Sequence, residues 1–151
     1  MTRADTANRV VIRPATIEDS PRLAPLSGQL GYPSTSSQVE SRMSPILADP
    51  EHVIFVAEQS GGEISGWADV FIMHTIGAEP RAEIAGLVVD ESCRSQGIGR
   101  LLMARVEEWA RAKGCAAVSL RSNVIRERAH KFYEQLGYQL IKTQKSFRKT
   151  L

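Results

Sequence analysis

The chain has 151 residues, of which 42% are hydrophobic and 24% charged, and its formal net charge is +2. This composition predicts a single globular domain over residues 1–151 with a flexible polar start at residues 1–8. No apolar run approaches the roughly 20 residues of a membrane span. A net charge this small does not indicate a nucleic-acid partner either. We therefore expect neither a membrane nor a nucleic acid as partner.

Strands and helices alternate along most of the chain. The first helix contains Pro25 and the second Pro45, and each proline is expected to bend or shorten its helix. A capping box at Thr35 and Gln38 marks the start of the second helix. In chain order we predict strand 10–12, helices from 16 and from 36, strands 53–57 and 64–73, a loop 74–80, strand 81–89, helix 97–113, strand 116–120, helix 127–136 and strands 138–141 and 146–149.

The cysteines and histidines do not suggest a metal or a disulfide framework. Cys93 and Cys115 lack paired-ligand spacing, so we interpret them as reduced thiols of a cytoplasmic protein. The N-terminus has no hydrophobic segment typical of a secretory signal. His52, His74 and His130 do not form a metal-ligand set, and no metal is expected.

The stretch from Leu87 to Arg100 carries the first chemical signal. A continuously apolar strand ends at Val89, and apolar residues at helical spacing begin at Ile98, with Gly97 and Gly99 at the transition. A helix start carries about +0.5 of an elementary charge and unpaired N–H groups, and glycine lets a phosphate come close to the backbone. The pattern therefore predicts a phosphorylated ligand. The alternative is a glycine-rich turn that binds nothing.

Two common phosphate motifs do not fit. A P-loop requires Gly-Lys-Ser/Thr, but Gly99 is followed by Arg100, and a dinucleotide fingerprint requires a third glycine where Leu102 stands. The remaining pattern, Arg94-x-x-Gly97-x-Gly99, resembles the acyl-CoA motif of the GNAT superfamily of N-acetyltransferases. The residue after Arg94 is often glycine in that family and is Ser95 here. The resemblance implies acetyl-CoA as co-substrate, bound by Leu87, Val88, Val89, Arg94, Ser95, Gln96, Gly97, Gly99, Arg100 and Asn123.

The segment 122–138 resembles the second GNAT signature. It has Asn123, Ala129, the Phe132-Tyr133 pair and Gly137 at the family's usual spacing. Asn123 would point its amide towards a ligand between two parallel strands, and the hydroxyl of Tyr133 would reach back towards the helix start. Phe132 is interpreted as a core aromatic, which is also the alternative role for Tyr133. The resemblance implies an α/β fold in which a central mixed sheet has splayed parallel strands and helices on both faces.

The same resemblance implies direct transfer of an acetyl group to an amine. Glu83 is the candidate base, and Tyr133 the acid that protonates the leaving thiolate. Glu83 is expected on one strand face with Ala85 and Leu87, and Gly86 is the expected bulge. Alternatively, Glu83 is solvated or paired with Arg81.

We predict a small-molecule primary amine as acceptor. The polar candidates for its pocket are Gln29, Tyr32, Ser34 and Glu40. A protein lysine or N-terminal acetyltransferase is one alternative, and a non-catalytic acyl-CoA sensor is another. A homodimer is also considered.

Overall fold

A computed structural model describes residues 9–151. These form two compact units, one ending at Leu120 and the other spanning Arg121–Leu151, and each is described by itself. The segment 1–8, predicted to be flexible, lies outside the described residues. Within residues 9–151, no helix has the length and apolar character needed to cross a bilayer.

The first unit contains five strands and three α-helices. Its elements are β1 (Val10–Pro14), α1 (Ser20–Leu30), α2 (Ser36–Leu47), β2 (His52–Gln59), β3 (Ile64–Thr75), β4 (Ala78–Val89), α3 (Ile98–Ala112) and β5 (Val118–Leu120), with short 3-10 turns at Ile17–Asp19 and Glu91–Cys93.

The strands form one mixed sheet in the order β1-β2-β3-β4-β5. Neighbours are antiparallel except β4 and β5, which run parallel because α3 returns the chain to the same edge. The parallel pairing covers only Ala82–Ile84 against Val118–Leu120, whereas β4 continues to Val89. The predicted mixed α/β fold is confirmed, and the last residues of β4 extend beyond its pairing with β5.

Alternate residues of the central strands face two different helical layers. Ile54 and Val56 of β2 belong to a cluster with Leu23, Leu26 and Met43 of α1 and α2. The intervening Phe55 faces α3, where the guanidinium of Arg105 lies 4.6 Å from the centre of its ring. The period of two along the strand thus separates an α1/α2 face from an α3 face.

Helix α3 buries a stripe with a spacing of three to four residues. Leu102, Met103 and Val106 are completely buried. Leu101, which we counted in the stripe from its apolar character, is 45% exposed. Consecutive helical residues differ by about 100° in direction, so Leu101 lies beside the stripe instead of in it.

The hairpin between β3 and β4 is longer than predicted. The expected loop at 74–80 is wrong, because only Ile76 and Gly77 remain between the two strands. A register shift falls between the pairs Met73–Arg81 and Thr75–Ala78. Pro80 lies inside this shift, where its missing N–H interrupts no regular ladder bond.

The prolines of α1 and α2 do not end those helices. Pro25 and Pro45 are both exposed, and the helices continue to Leu30 and Leu47. The carbonyls that lose a helical N–H partner are one turn earlier, at Pro21 and Ser41, and both residues are exposed, so solvent can reach them. The predicted capping box is confirmed: Thr35 Oγ1 accepts from the Gln38 N–H at 3.1 Å, and Gln38 Oε1 accepts from the Thr35 N–H at 3.0 Å.

The second unit contains one helix, α4 (Glu127–Gln135). The predicted strands at 138–141 and 146–149 are wrong, since the structure describes no regular element after α4.

Candidate active site

A β-bulge interrupts β4 next to the candidate base. Asp69 of β3 pairs with Gly86, but the next β3 residue, Val70, pairs with Ile84. Ala85 is therefore the extra residue of the bulge. The sequence predicted the bulge at Gly86, one residue later than the structure has it. A bulge of this kind bends the strand and alters which backbone groups remain available for bonding.

The bulge changes which residues share a face with Glu83. Glu83, Gly86 and Val88 pair with Phe71, Asp69 and Trp67, which are alternate residues of β3. Side chains two apart on a strand lie on one face, so Glu83 shares its face with Gly86 and Val88. The expected grouping of Glu83 with Ala85 and Leu87 is wrong, because the extra residue shifts the alternation by one position.

Glu83 is buried on the α1/α2 face of the sheet. Its side chain is 8% exposed, and its Oε2 lies 3.9 Å from Arg81 Nε. Of the alternatives raised by the sequence, solvation of Glu83 is therefore excluded, and a long ion pair with Arg81 is present. A carboxylate held in this way, with little water around it, can accept a proton from a bound ammonium.

Gly86 allows an aromatic ring to lie against β4. A Cβ at this position would lie 2.8 Å and 3.0 Å from two ring carbons of Trp67, and 3.3 Å from Leu30 Cδ2. The Trp67 Nε1 atom is buried and has no hydrogen-bond partner among residues 9–151. The ring thus fills the space that any other residue at position 86 would require.

His52 and Asp69 form a polar pair on the same face. His52 Nε2 lies 2.5 Å from Asp69 Oδ1, and the His52 ring is 5.5 Å from that of Phe71. Sequence reasoning missed this pair because it considered histidines only as metal ligands. The available signal was the position of His52, which alternates with the apolar Ile54 and Val56 and therefore points to the covered face.

The turn after β4 is held by side-chain hydrogen bonds. Asp90 Oδ1 accepts from the N–H of Ser92 at 3.0 Å, and this bond lowers the pKa of the Asp90 carboxyl. Gln29 Oε1 of α1 accepts from the N–H of Glu91 at 3.0 Å. Gln29, a sequence candidate for the acceptor pocket, therefore anchors the turn that precedes Arg94.

The segment from Arg94 to Arg100 presents backbone N–H groups at the start of α3. Ser95 has φ of 66°, and Gly97 has φ of 80°. No side chain caps the helix, and its first hydrogen bond runs from Leu101 N to Gly97 O. The preceding N–H groups, which include those of Gly99 and Arg100, thus have no partner within the helix. An uncapped helix start with such N–H groups can bind a phosphate.

The positive φ of Ser95 is consistent with the glycine that is often found here in the family that the motif resembles. Glycine adopts this left-handed conformation freely, whereas a residue with a Cβ does so at a cost of about 1 kcal/mol. A Cβ added to Gly97 would have no protein atom within 4 Å. Its φ, and not lack of space within the protein, is therefore the reason for glycine at 97.

In the second unit, Asn123 organises the turn before α4. Its Oδ1 accepts from the N–H of Ile125 at 3.1 Å, and its backbone oxygen bonds His130 Nε2 at 2.9 Å. The side-chain oxygen of Asn123 is thus used within the unit, and its amide N–H₂ does not take part in that hydrogen bond.

Tyr133 lies among aromatic rings of the same unit. Its ring centre is 5.1 Å from that of Phe132 and 5.9 Å from that of Tyr138, both in edge-to-face arrangements. Burial raises the pKa of Tyr133 to about 12, with a smaller opposing effect from Arg126. The phenol therefore keeps its proton throughout the physiological pH range.

Comparisons with known proteins identify the family of this chain. The model of the acetyltransferase (GNAT) family matches residues 22–138. An aminoglycoside N(6')-acetyltransferase type 1 from Stenotrophomonas maltophilia is 32% identical over 88% of this chain and 88% of its own length. An aminoalkylphosphonate N-acetyltransferase from Salmonella typhimurium is 37% identical over 61% of this chain and 60% of its own. The chain belongs to the GNAT family and is an acyl-CoA-dependent N-acetyltransferase.

Solved structures extend the comparison to the fold. A crystal structure of an aminoglycoside N-acetyltransferase in complex with CoA has a TM-score of 0.84 and 22% identity, covering 95% of this chain and 97% of that chain. A glucosamine-6-phosphate N-acetyltransferase from Arabidopsis thaliana has a TM-score of 0.80 and 25% identity, covering 93% and 98%. The predicted family and fold are confirmed.

Proposed function

We propose that this enzyme transfers the acetyl group of acetyl-CoA to a primary amine of a small molecule of the amino-sugar type, such as an aminoglycoside. The observation that carries the proposal is the sequence likeness to aminoglycoside N(6')-acetyltransferases over most of both chains. The reaction joins the amine nitrogen to the acetyl carbon and breaks the carbon–sulfur bond. It releases the amide, the thiol and the proton of the original ammonium.

The diphosphate of the co-substrate binds to the start of α3. The uncapped N–H groups there and the conformation of Gly97 support this role, as does the family motif from Arg94 to Gly99. Backbone groups of Leu87–Val89, beyond the bulge, would bond the pantetheine arm and the thioester oxygen. For Asn123 of the second unit, the role in binding the co-substrate is the one that the second family signature implies, through its side-chain N–H₂.

Glu83 is the general base in this proposal. An alkylammonium has a pKa of about 10.4, so most acceptor molecules arrive protonated and must lose a proton before attack. The buried carboxylate of Glu83, which has Arg81 as a distant partner, supplies an acceptor for that proton directly or through a water.

Tyr133 is the general acid, as the second family signature implies. A raised pKa keeps its phenol protonated, so that it can donate to the departing thiolate. The pKa of a thiol is about 8.5, below that of Tyr133, so complete transfer of the proton from the phenol is uphill. The hydrogen bond stabilises the thiolate as it leaves, and reprotonation of the tyrosinate drives the transfer. The tyrosinate then recovers a proton from solvent.

The cellular location is also a proposal. Cys93 and Cys115 are both free thiols in the structure. Reduced cysteines are typical of the cytoplasm, where we place the enzyme.

Thiol release from acetyl-CoA, measured with a panel of amines, tests the proposed activity. The panel contains aminoglycosides, amino sugars, aminoalkylphosphonates, polyamines, amino acids and a lysine peptide, with product masses as a second readout. We expect the fastest release with an aminoglycoside or amino sugar. Acetyl-CoA binding without release for any amine would support the sensor alternative, and release only with the peptide would support a protein acetyltransferase.

A further inference from the structure

Three side chains form a row across the sheet on the face of the candidate base. His52 of β2 pairs with Phe71 of β3, and Phe71 pairs with Glu83 of β4. Directly paired residues project to the same face of a sheet. Neighbouring strands are about 4.8 Å apart, so the Cα atoms of His52 and Glu83 are about 10 Å apart, with the aromatic ring between them.

A second carboxylate lies on the same face, beside the row: Asp69 pairs with Ile54 and Gly86, so it is diagonal to both His52 and Glu83. Asp69 precedes Phe71 by two residues and therefore shares its face. Its Oδ1 lies 2.5 Å from His52 Nε2, and the two side chains are 22% and 19% exposed. The other oxygen, Oδ2, has no hydrogen bond within residues 9–151. It is available to a donor from outside the protein.

The carboxylates of Glu83 and Asp69 differ in the positive charges beside them. Arg81 lies 3.9 Å from Glu83, so a permanent cation already accompanies that carboxylate. The partner of Asp69 is a histidine, which is cationic only when it is protonated. The protein therefore neutralises the charge of Asp69 only in part. A second ammonium on the acceptor would complete that neutralisation.

We propose that the acceptor lies beside Phe71 on this face, with its reacting amine at Glu83 and a second ammonium at Asp69, which His52 orients. The apolar carbon skeleton between the two amines packs on the ring. This inference rests on the proposed function and narrows its substrate class to molecules with at least two amino groups separated by several carbon atoms. Asp69 is thus a specificity-determining residue.

The test compares matched acceptors on the full chain. The probes are α,ω-diaminoalkanes of four to eight carbons and the monoamines of equal length, with kcat and KM from thiol release. We expect the wild type to have at least a tenfold higher kcat/KM for the best diamine than for its monoamine. Asp69→Asn should reduce this ratio about tenfold or more, mainly through a higher KM for the diamine, and Asp69→Glu should restore part of it.

Glu63→Gln is the matched control. It removes one negative charge at the exposed β2–β3 turn, and the diamine ratio should remain within twofold of that of the wild type. An equal effect of Asp69→Asn on diamine and monoamine, or no effect on either, overturns the inference. If Asp69→Asn does not fold, the wild-type ratio decides, since a ratio near one also overturns it.

A binding measurement separates this inference from the proposed function. Calorimetric titration of the CoA-loaded protein with the best diamine should give about tenfold weaker binding for Asp69→Asn than for the wild type. Thiol release that fails with every amine would refute the proposed activity alone. Equal diamine affinity of the two proteins would refute the subsite alone.

Discussion

A Cβ on residue 86 would lie 2.8 Å from the indole ring of Trp67, a distance that real Cβ atoms do not reach. The ring is packed against the buried core cluster, so Gly86→Ala should displace it and lower the free energy of unfolding by about 2 kcal/mol. Replacing the ring removes the conflict. Urea denaturation of Gly86→Ala, Trp67→Leu and the double variant should therefore show strong non-additivity, whereas additive losses would mean that the ring is not the obstacle.

Substitutions at Gly97 test whether an anion binds at the start of α3. Asparagine and aspartate have the same shape, and both tolerate a positive φ better than other residues with a side chain. Gly97→Asn should keep the fold and bind acetyl-CoA with a Kd within about tenfold of that of the wild type. Gly97→Asp should weaken binding at least a further tenfold, because its charge repels the diphosphate. Equal affinities of the two variants, measured by calorimetry, would contradict a diphosphate at this turn.

The role of Glu83 predicts a loss of activity that depends on pH. Glu83→Gln keeps the shape and removes the proton acceptor, so kcat/KM for the acceptor at neutral pH should fall about 10²–10³-fold. The deficit should shrink as the pH approaches the amine's own pKa of about 10.4, because more acceptor then arrives unprotonated. A deficit that stays constant with pH would assign Glu83 to binding instead.

Tyr133 has a prediction that does not require activity. Since burial raises its pKa to about 12, the tyrosinate absorbance of the wild type should contain a component that titrates near that pH and is missing in Tyr133→Phe. The folded protein retains this proton above pH 10, where the unfolded chain loses it. Stability should therefore fall as the pH rises from about 10 to about 12. Titration of all three tyrosines near pH 10 would contradict this.

The catalytic role of Tyr133 is tested separately by kcat. Tyr133→Phe removes the proton donor but keeps the ring and its packing, so kcat should fall about 10–100-fold with little change in the Kd for acetyl-CoA. The measurement is thiol release at saturating concentrations of both substrates. An unchanged kcat would reject Tyr133 as the acid.

Asp19 and Arg13 predict a pH-dependent contribution to stability. The Arg13 guanidinium bonds both carboxylate oxygens of Asp19 at 2.9 Å, and this bidentate bond holds the pKa of Asp19 below its usual 3.8. The stabilisation is therefore present above pH 3.8 and is lost as the pH falls below it. Asp19→Asn should lower the free energy of unfolding at neutral pH by about 3 kcal/mol, because Asp19 is buried.

The matched control for that measurement is Asp49→Asn. Asp49 is exposed, and an asparagine oxygen can replace the carboxylate oxygen that accepts from the N–H of Glu51. Its unfolding free energy should change by less than about 0.5 kcal/mol. If Asp19→Asn lost no more stability than this control, the bidentate pair would be energetically neutral.

Local signals in the sequence predicted much of the fold. The capping box at Thr35 and Gln38 and the glycine start of α3 each depend on a few adjacent residues, and both are confirmed. The strands predicted at 138–141 and 146–149 failed for the opposite reason. Alternation indicates that a segment can be a strand, but a partner strand decides whether it is one.

The β-bulge in β4 limits how much of the candidate site could be predicted from the sequence. The sequence indicated an irregularity near Gly86, but the faces were assigned by uninterrupted alternation, and the extra residue at Ala85 reverses that assignment for the residues after it. The His52–Asp69 pair depends on the register between β2 and β3, which cannot be read from either strand alone. Positions of side chains along a strand follow from the sequence, whereas their neighbours across the sheet follow from pairing.

The hydrogen bond from the N–H of Glu91 to Gln29 has a consequence for the adaptation of this enzyme to new acceptors. The side chain of Gln29, at the end of α1, bonds the loop that leads into the Arg94–Arg100 segment, where we propose that CoA binds. Under the proposed function, mutations in α1 that are selected for a new acceptor and remove this hydrogen bond would therefore also weaken CoA binding. Libraries that randomise α1 should keep Gln29 invariant, or evolve a replacement acceptor for that N–H in the same round.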